Sequence, residues 1–250
     1  MPNNQLTSPI LEGPYRKLKP FLRSNRWFFI GFCILLLIAL TQVFARQVGH
    51  LVLLLNQHRS VALDHFFVFV TRLAEPIAYL LCALILALFR LRSALFTGFI
   101  ALAVGLVAMP LKLLFNHPRP LAWFCDYAAD QWELLIQFDP TIYLTSWSYT
   151  SFPSGHAMSA FALYSFMAFN FKHYKWLIGI LCLALAAGVG LSRIYLLMHF
   201  LRDVALGGSL GVLIGVSIFF LQFKLWGQNE SLDKGLLNDF GSYRKSKPEE

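Results

Sequence analysis

Long uncharged apolar runs alternate with short charged segments along most of this chain. The runs at 27–45, 93–111 and 204–223 each hold 19 or 20 residues without an acidic or basic side chain. That length is enough for a helix to cross the hydrocarbon core of a bilayer. Two further runs, 152–171 and 176–192, are similar. Because backbone groups in lipid must be hydrogen-bonded within the protein, we expect all of these spans to be helices.

The shortest predicted span is 76–89, with 14 uncharged residues. It needs a further turn at one end, with Arg90 and Arg92 extending toward the headgroups. The preceding region, 46–75, is apolar but interrupted by charged residues and histidines. This pattern indicates short helices at the membrane interface, packed against the bundle. The chain is therefore predicted to be an all-α, polytopic membrane protein with six transmembrane helices in a bundle and short interfacial helices.

The same pattern divides the chain into three parts. Residues 27–223 are predicted to form one six-span domain, preceded by an N-terminal segment, 1–26, and followed by a polar tail, 224–250. The composition is 57% hydrophobic and 14% charged, whereas soluble domains have about 45–50% and about 25%. The net charge of +8 is spread in short clusters. This distribution suits membrane orientation better than nucleic-acid binding, which needs a continuous basic face.

The basic residues predict the orientation of the chain. Six spans place both termini on one side, and 14 of the 21 Lys and Arg residues lie on that side. Cytoplasmic loops carry the excess of basic residues, so both termini are predicted to be cytoplasmic in a bacterial inner membrane. The seven basic residues on the other, periplasmic or extracellular side are Arg46, Arg59, Arg72, Lys112, Arg119, Arg193 and Arg202.

Two candidate phosphate-binding segments lie at span ends on the outer side. Lys112 and Arg119 follow the third span and combine a compact ammonium with a planar guanidinium, which suits a phosphate. Taken alone, they could equally be two interfacial side chains extending to water. The second segment, 153–156, reads Pro-Ser-Gly-His at the start of the fourth span. Helix N-termini present free N–H groups to anions, and Gly155 allows close approach. Ser154 adds a hydroxyl and His156 an imidazole, although a simple helix cap would look the same.

The third segment, 192–203, carries ionisable residues between two apolar runs. Charged groups at mid-bilayer cost about 2.5–3.5 kcal/mol each, so this concentration indicates a function or an aqueous exit. His199 and Asp203 are four residues apart and share one helix face. Asp203 can accept a hydrogen bond from one ring nitrogen, which leaves the other free to attack. Arg193 closes the fifth span nearby.

Together these three segments resemble a known signature. Lys-x6-Arg-Pro, Pro-Ser-Gly-His and Ser-Arg-x5-His-x3-Asp, at 112–120, 153–156 and 192–203, are similar to the three motifs of the type-2 phosphatidic acid phosphatase superfamily. That superfamily also includes bacterial acid phosphatases and vanadium haloperoxidases. The absence of a large soluble domain argues against a haloperoxidase. The resemblance includes the six-span layout of its membrane lipid phosphatase branch.

The resemblance implies a role for each motif residue. His199 is expected to be the nucleophile that forms a phosphohistidine, Asp203 to orient it, and His156 to protonate the leaving group. The expected phosphate-binding residues are Lys112, Arg119, Ser154, Gly155 and Arg193. No metal-ligand cluster accompanies them, so metal-independent hydrolysis without a cofactor is expected.

The expected substrate is a membrane lipid phosphate or diphosphate, and no protein partner is indicated. Polyprenyl diphosphate, phosphatidylglycerol phosphate, lipid A and phosphatidic acid remain candidates. Two other functions stay open, a lipid phosphotransferase that uses the same site and a lipid or anion transporter. The predicted polar loop at 116–151 contains the acidic residues Asp126, Asp130, Glu133 and Asp139, which could favour an amine-bearing headgroup.

Overall fold

The structure is a computed structural model that describes residues 15–135, 148–171, 173–226 and 230–237. These residues form helices joined by short connections, with one 3₁₀ turn at Arg72–Ala74. The helices are α1 (Tyr15–Ser24), α2 (Arg26–Ala45), α3 (His50–Gln57), α4 (Val61–Thr71), α5 (Pro76–Phe89), α6 (Leu91–Phe115), α7 (Pro120–Tyr127), α8 (Ala129–Trp132), α9 (Gly155–Asn170), α10 (Lys175–Tyr195), α11 (Leu201–Trp226) and α12 (Glu230–Asp233). The all-α prediction is confirmed over the described part of the chain.

Four stretches of the described residues are long and apolar enough to cross a bilayer: Arg26–Ala45, Leu91–Tyr127, Lys175–Tyr195 and Leu201–Leu225. A fifth arises if Val61–Ala74 and Pro76–Phe89 form one span, bent by 58° at Glu75. The protein is thus a multi-pass membrane protein. The six predicted spans also included α9, which has only 16 residues, so the count of six stays a prediction.

Helix α9 is the centre of the bundle. It packs against α6, α10 and α11, and 12 of its 16 residues are buried. Three glycines of α11, Gly207, Gly211 and Gly215, face it, and a Cβ at each would collide with α9 atoms. Small residues at this spacing let membrane helices approach closely. The close approach brings the start of α11 against the start of α9.

The segment after α6 contains more regular structure than the sequence pattern predicts. Helix α7 begins at Pro120 and buries Leu121 and Phe124, which contact Val52 of α3 in one apolar cluster. The acidic residues Asp126, Asp130 and Glu133 are exposed here. Residues 136–147, which include Asp139, lie outside the described part of the chain.

Polar side chains join the helices at the end of the bundle where α1 and α12 lie. The buried Arg92 donates to the Gln222 carbonyl oxygen at 2.7 Å and to Asp233 at 2.9 Å. Lys175 donates to Asn25 at 2.9 Å. Helix α1 also belongs to this end, because its Phe21 is buried in the core. Parts of the predicted terminal segments, 1–14 and 238–250, lie outside the described residues.

Candidate active site

The three motif segments meet at the opposite end of the bundle. Lys112 lies in the last turn of α6, Gly155 begins α9, and Asp203 lies in the first turn of α11. The Lys112 Nζ atom is 3.7 Å from the position that a Cβ on Gly155 would occupy. The Ser154 backbone N–H donates to the Asp203 carbonyl oxygen at 3.0 Å. These contacts connect all three motifs.

The start of α9 has several features that favour a negative charge. Ser154 is the N-cap, and its side-chain oxygen accepts the Ala157 N–H at 3.3 Å. Ser154 is fully buried, and its hydroxyl proton remains a possible donor. The free N–H groups and the dipole of a helix start favour negative charge. The Lys112 ammonium lies above this helix start and adds a positive charge.

His199 lies in the 196–200 connection between α10 and α11 and is only 2% exposed. Its backbone N–H donates to the Arg193 carbonyl oxygen at 3.1 Å. Its Nδ1 lies 3.6 Å from Asp203 Oδ2, which is an ion-pair distance but too long for a hydrogen bond. The Nδ1 side of the ring therefore faces Asp203, and Nε2 is the nitrogen that remains for a substrate.

Ser151 supports this pair, and the sequence motifs did not single it out. Its hydroxyl donates to Asp203 Oδ2 at 2.5 Å and lies 3.4 Å from His199 Nδ1. The Phe200 backbone N–H donates to the same carboxylate oxygen at 2.9 Å. Ser151 lies two residues before the Pro-Ser-Gly-His motif, and a serine in a polar loop carries no distinctive signal. Only the fold brings it to Asp203.

The charge state of His199 follows from its burial. Removal of water disfavours the imidazolium and lowers the pKa of His199 to about 4, with the Arg193 charge acting in the same direction. Asp203 opposes this shift but does not cancel it. His199 is thus neutral at pH 7, which is the form that can attack phosphorus.

Three cations surround the two histidines. Arg193 is buried, its Nη1 donates to Thr71 at 2.8 Å, and its Nε has no hydrogen-bond partner among the described residues. The Arg119 Nη1 atom lies 3.3 Å from the Met198 sulfur. Arg119 and Arg193 both lie near enough to Lys112 to interact with it electrostatically. Three cations placed this close together suit a multiply charged anion.

His156 lies near an acidic residue that belongs to none of the three motifs. Its Nε2 lies 3.9 Å from the Glu75 carboxylate, at the bend between the 3₁₀ turn and α5. Both side chains are partly exposed, at 37% and 43%. Glu75 also acts on Arg193 electrostatically. No sequence spacing links His156 and Glu75, and only the fold brings the two residues together.

All eight predicted site residues therefore lie at one end of the bundle. They are Lys112, Arg119, Ser154, Gly155, His156, Arg193, His199 and Asp203. Within the described ranges, no three His, Cys, Asp or Glu residues form a group that could hold a metal ion. The proposed independence of a metal stays a prediction.

Curated relatives match part of the chain. Phosphatidylglycerophosphatase B of Bacillus subtilis (strain 168) is 41% identical over 91 residues, which cover 34% of this chain and 41% of that protein. The bacitracin transport permease protein BcrC of Bacillus licheniformis is 44% identical over 75 residues, which cover 30% of this chain and 35% of that protein. The matches span less than half the length of either relative.

Solved structures share the fold over most of the chain. The crystal structure of Aquifex aeolicus LpxE has a TM-score of 0.56 and 24% identity, with 69% of this chain and 94% of that chain covered. A transmembrane PAP2-type phosphatidylglycerolphosphate phosphatase from Bacillus subtilis has a TM-score of 0.50 and 23% identity, covering 82% and 99%. The model of the PAP2 superfamily matches residues 93–226, more than half of the sequence, and includes all three motifs. This chain is a member of the PAP2 superfamily.

Proposed function

We propose that this protein is an integral-membrane lipid phosphatase that hydrolyses a phosphomonoester or diphosphate headgroup through a phosphohistidine on His199. The observation that carries the proposal is the convergence of Lys112, His156 and His199 at one end of the bundle. Three cations around one pocket can stabilise the charge that develops on a transferring phosphoryl group. This arrangement requires no metal ion for charge stabilisation.

In the first step, the neutral Nε2 of His199 attacks phosphorus and the bond to the leaving oxygen breaks. His156 gives its proton to that oxygen, and the alcohol or lipid phosphate departs. Asp203, held by Ser151, stabilises the positive charge on the His199 ring. Lys112, Arg119 and Arg193 hold the phosphoryl oxygens.

In the second step, His156, now neutral, takes a proton from water. The resulting hydroxide attacks the phosphohistidine, the nitrogen–phosphorus bond breaks, and inorganic phosphate leaves. Both histidines return to their starting states. The Glu75 carboxylate lies 3.9 Å from the His156 Nε2 atom.

The substrate class follows from the membrane location and from the relatives. The site lies at the ends of membrane helices, where a lipid headgroup can reach it. A curated relative is named as a phosphatidylglycerophosphatase, so phosphatidylglycerol phosphate is the first candidate. The excess of basic residues at the other end of the bundle supports cytoplasmic termini and a site on the outer face.

The test is release of inorganic phosphate from a panel of lipid phosphates in detergent, with EDTA and with vanadate. Phosphatidylglycerol phosphate, phosphatidic acid, polyprenyl diphosphate and lipid A form the panel. We expect release that survives EDTA, and a loss of at least about 10³-fold in His199→Ala. Acid-labile phosphate on the quenched wild-type protein, absent from His199→Ala, would identify the intermediate.

Transport is a second candidate, because one relative is named as a bacitracin transport permease. A transporter would use the cationic cluster only to bind its cargo. His199→Ala would then leave binding and flux largely intact, whereas the phosphatase mechanism predicts loss of turnover with binding retained. A phosphotransferase would consume the lipid phosphate without releasing phosphate to water.

A further inference from the structure

Two adjoining cavities lie between α2 and α11, and neither is lined by His156. The first is an apolar cavity of about 440 Å³ between α2, α10 and α11, with Phe161 of α9 at its base. Phe32 and Gln42 of α2 both line it and are ten residues apart, so the lined face runs for about 15 Å along the helix. This volume lies within the range of small-molecule sites, about 300–1,000 Å³.

The second is a smaller pocket of about 120 Å³ at the outer end of the same groove. It is lined by Arg46 after α2, His50 at the start of α3, and Arg202 at the start of α11. None of the described residues that line it is acidic. The two cavities adjoin, because Gln42 and Leu201 line both of them.

The basic pocket and the apolar cavity beside it match the two parts of a phospholipid. An anionic phospholipid has a negative headgroup above two hydrocarbon chains, and this groove has basic side chains above an apolar channel along membrane helices. We propose that the groove binds an intact anionic phospholipid of the outer leaflet, with its phosphate at Arg46 and Arg202 and an acyl chain between α2 and α11.

This lipid is distinct from the substrate. The catalytic residue His156 is partly exposed on the side of the bundle where Glu75 and α5 lie. The groove lies against α2, on the other side of α11. Arg202 connects the two sites, because its Nη2 lies 2.6 Å from His117 Nε2 and its Nε 3.7 Å from Asp203.

The test is photolabelling in nanodiscs of phosphatidylcholine that contain a minor fraction of phosphatidylglycerol with a diazirine in its acyl chain. We expect mass spectrometry to find labels concentrated on the faces of α2 and α11 that line the groove. Phosphatidylcholine carrying the same diazirine is expected to label this groove several-fold less, because it lacks net charge. Equal labelling by both lipids would overturn the assignment of an anionic headgroup.

Two variants with matched controls address the two parts of the site. Arg46→Gln removes a headgroup cation, and Arg23→Gln makes the same change at the other end of the bundle. Ala39→Phe fills the groove, whereas Ala101→Phe adds the same ring to a lipid-exposed face of α6. We expect several-fold less groove labelling in the first member of each pair and none of this loss in its control.

Other outcomes would refute the proposal. Labels spread evenly over exposed helix faces, or unchanged by Ala39→Phe, would mean annular lipid only. Displacement by a lipid phosphate bound to the His199→Ala variant would assign the groove to the tail of the substrate. The labelling needs no turnover, so it succeeds or fails independently of the proposed phosphatase activity.

Discussion

Replacement of Gly207 by alanine tests whether the packing of two helices positions the catalytic residues. Gly207 lies one turn after Asp203 on α11, and a Cβ at this position would collide with the Ser154 backbone carbonyl of α9. Backbone cannot turn aside as a flexible side chain can, so α11 must move away from α9. That movement would lengthen the 3.0 Å hydrogen bond from the Ser154 N–H to the Asp203 carbonyl.

The magnitudes follow from two opposing effects. Overpacking in a well-packed interior costs about 1–3 kcal/mol, while alanine in place of glycine favours a helix by about 1 kcal/mol. Because the collision is with backbone, we expect a net loss of about 1–2 kcal/mol in unfolding free energy. A displacement of about 1 Å at reacting groups can lower the rate about 10²-fold, so we expect a fall in kcat/KM of that order.

Two other glycines provide controls. A Cβ on Gly98 meets nothing within 4 Å, so Gly98→Ala is expected to be neutral or slightly stabilising. Gly215→Ala collides with Ser165 two turns further along α11, about 12 Å from Gly207. It is expected to lower the thermal midpoint with a smaller loss of activity.

The assays are thermal unfolding in detergent and phosphate release from a lipid phosphate. The reasoning would be refuted if Gly207→Ala retained both the thermal midpoint and kcat/KM of the wild type. Equal losses of activity in Gly207→Ala and Gly215→Ala would also count against it, because stability alone would then explain the effect.

Three further changes have defined outcomes. Ser151→Ala removes a hydrogen bond to the Asp203 carboxylate, which is worth about 1.5–3 kcal/mol, so kcat is expected to fall about 10- to 100-fold with KM little changed. Ser151→Thr keeps the hydroxyl and should retain part of the wild-type kcat. Arg92→Gln removes charged hydrogen bonds at the opposite end of the bundle and should cost about 2–3 kcal/mol in thermal unfolding with kcat/KM unaltered. The pKa of His199 is lowered to about 4 and its neutral form attacks, so activity is retained as pH falls through 6.5 and is lost only nearer that lowered pKa. The acidic limb of the pH profile of kcat/KM is therefore expected below about pH 6, after correction for the substrate ionisation measured by phosphorus NMR. An acidic limb near the ordinary histidine pKa of about 6.5 would contradict the assignment of His199 as the nucleophile.

The sequence alone was sufficient for the helical class, and it singled out eight residues that the structure brings to one end of the bundle. Hydrophobic run length is a local property that reports directly on membrane helices. The glycines from Gly207 to Gly215 recur every four residues, a spacing typical of closely packed membrane helices, and in the structure this face meets α9. Motif spacing was informative because each motif lies at a helix end, where short-range geometry is constrained.

The tertiary structure alone decided which other residues support these motifs. Thr71 and Arg193 are joined at 2.8 Å across 122 positions of sequence, and Ser151 and Asp203 across 52. Such pairs depend on how helices pack, and neither serine nor threonine has a pattern that reveals a distant partner. The bend at Glu75 and the central position of the short helix α9 were also decided by the tertiary structure. Hydropathy does not distinguish a helix surrounded by protein from one surrounded by lipid.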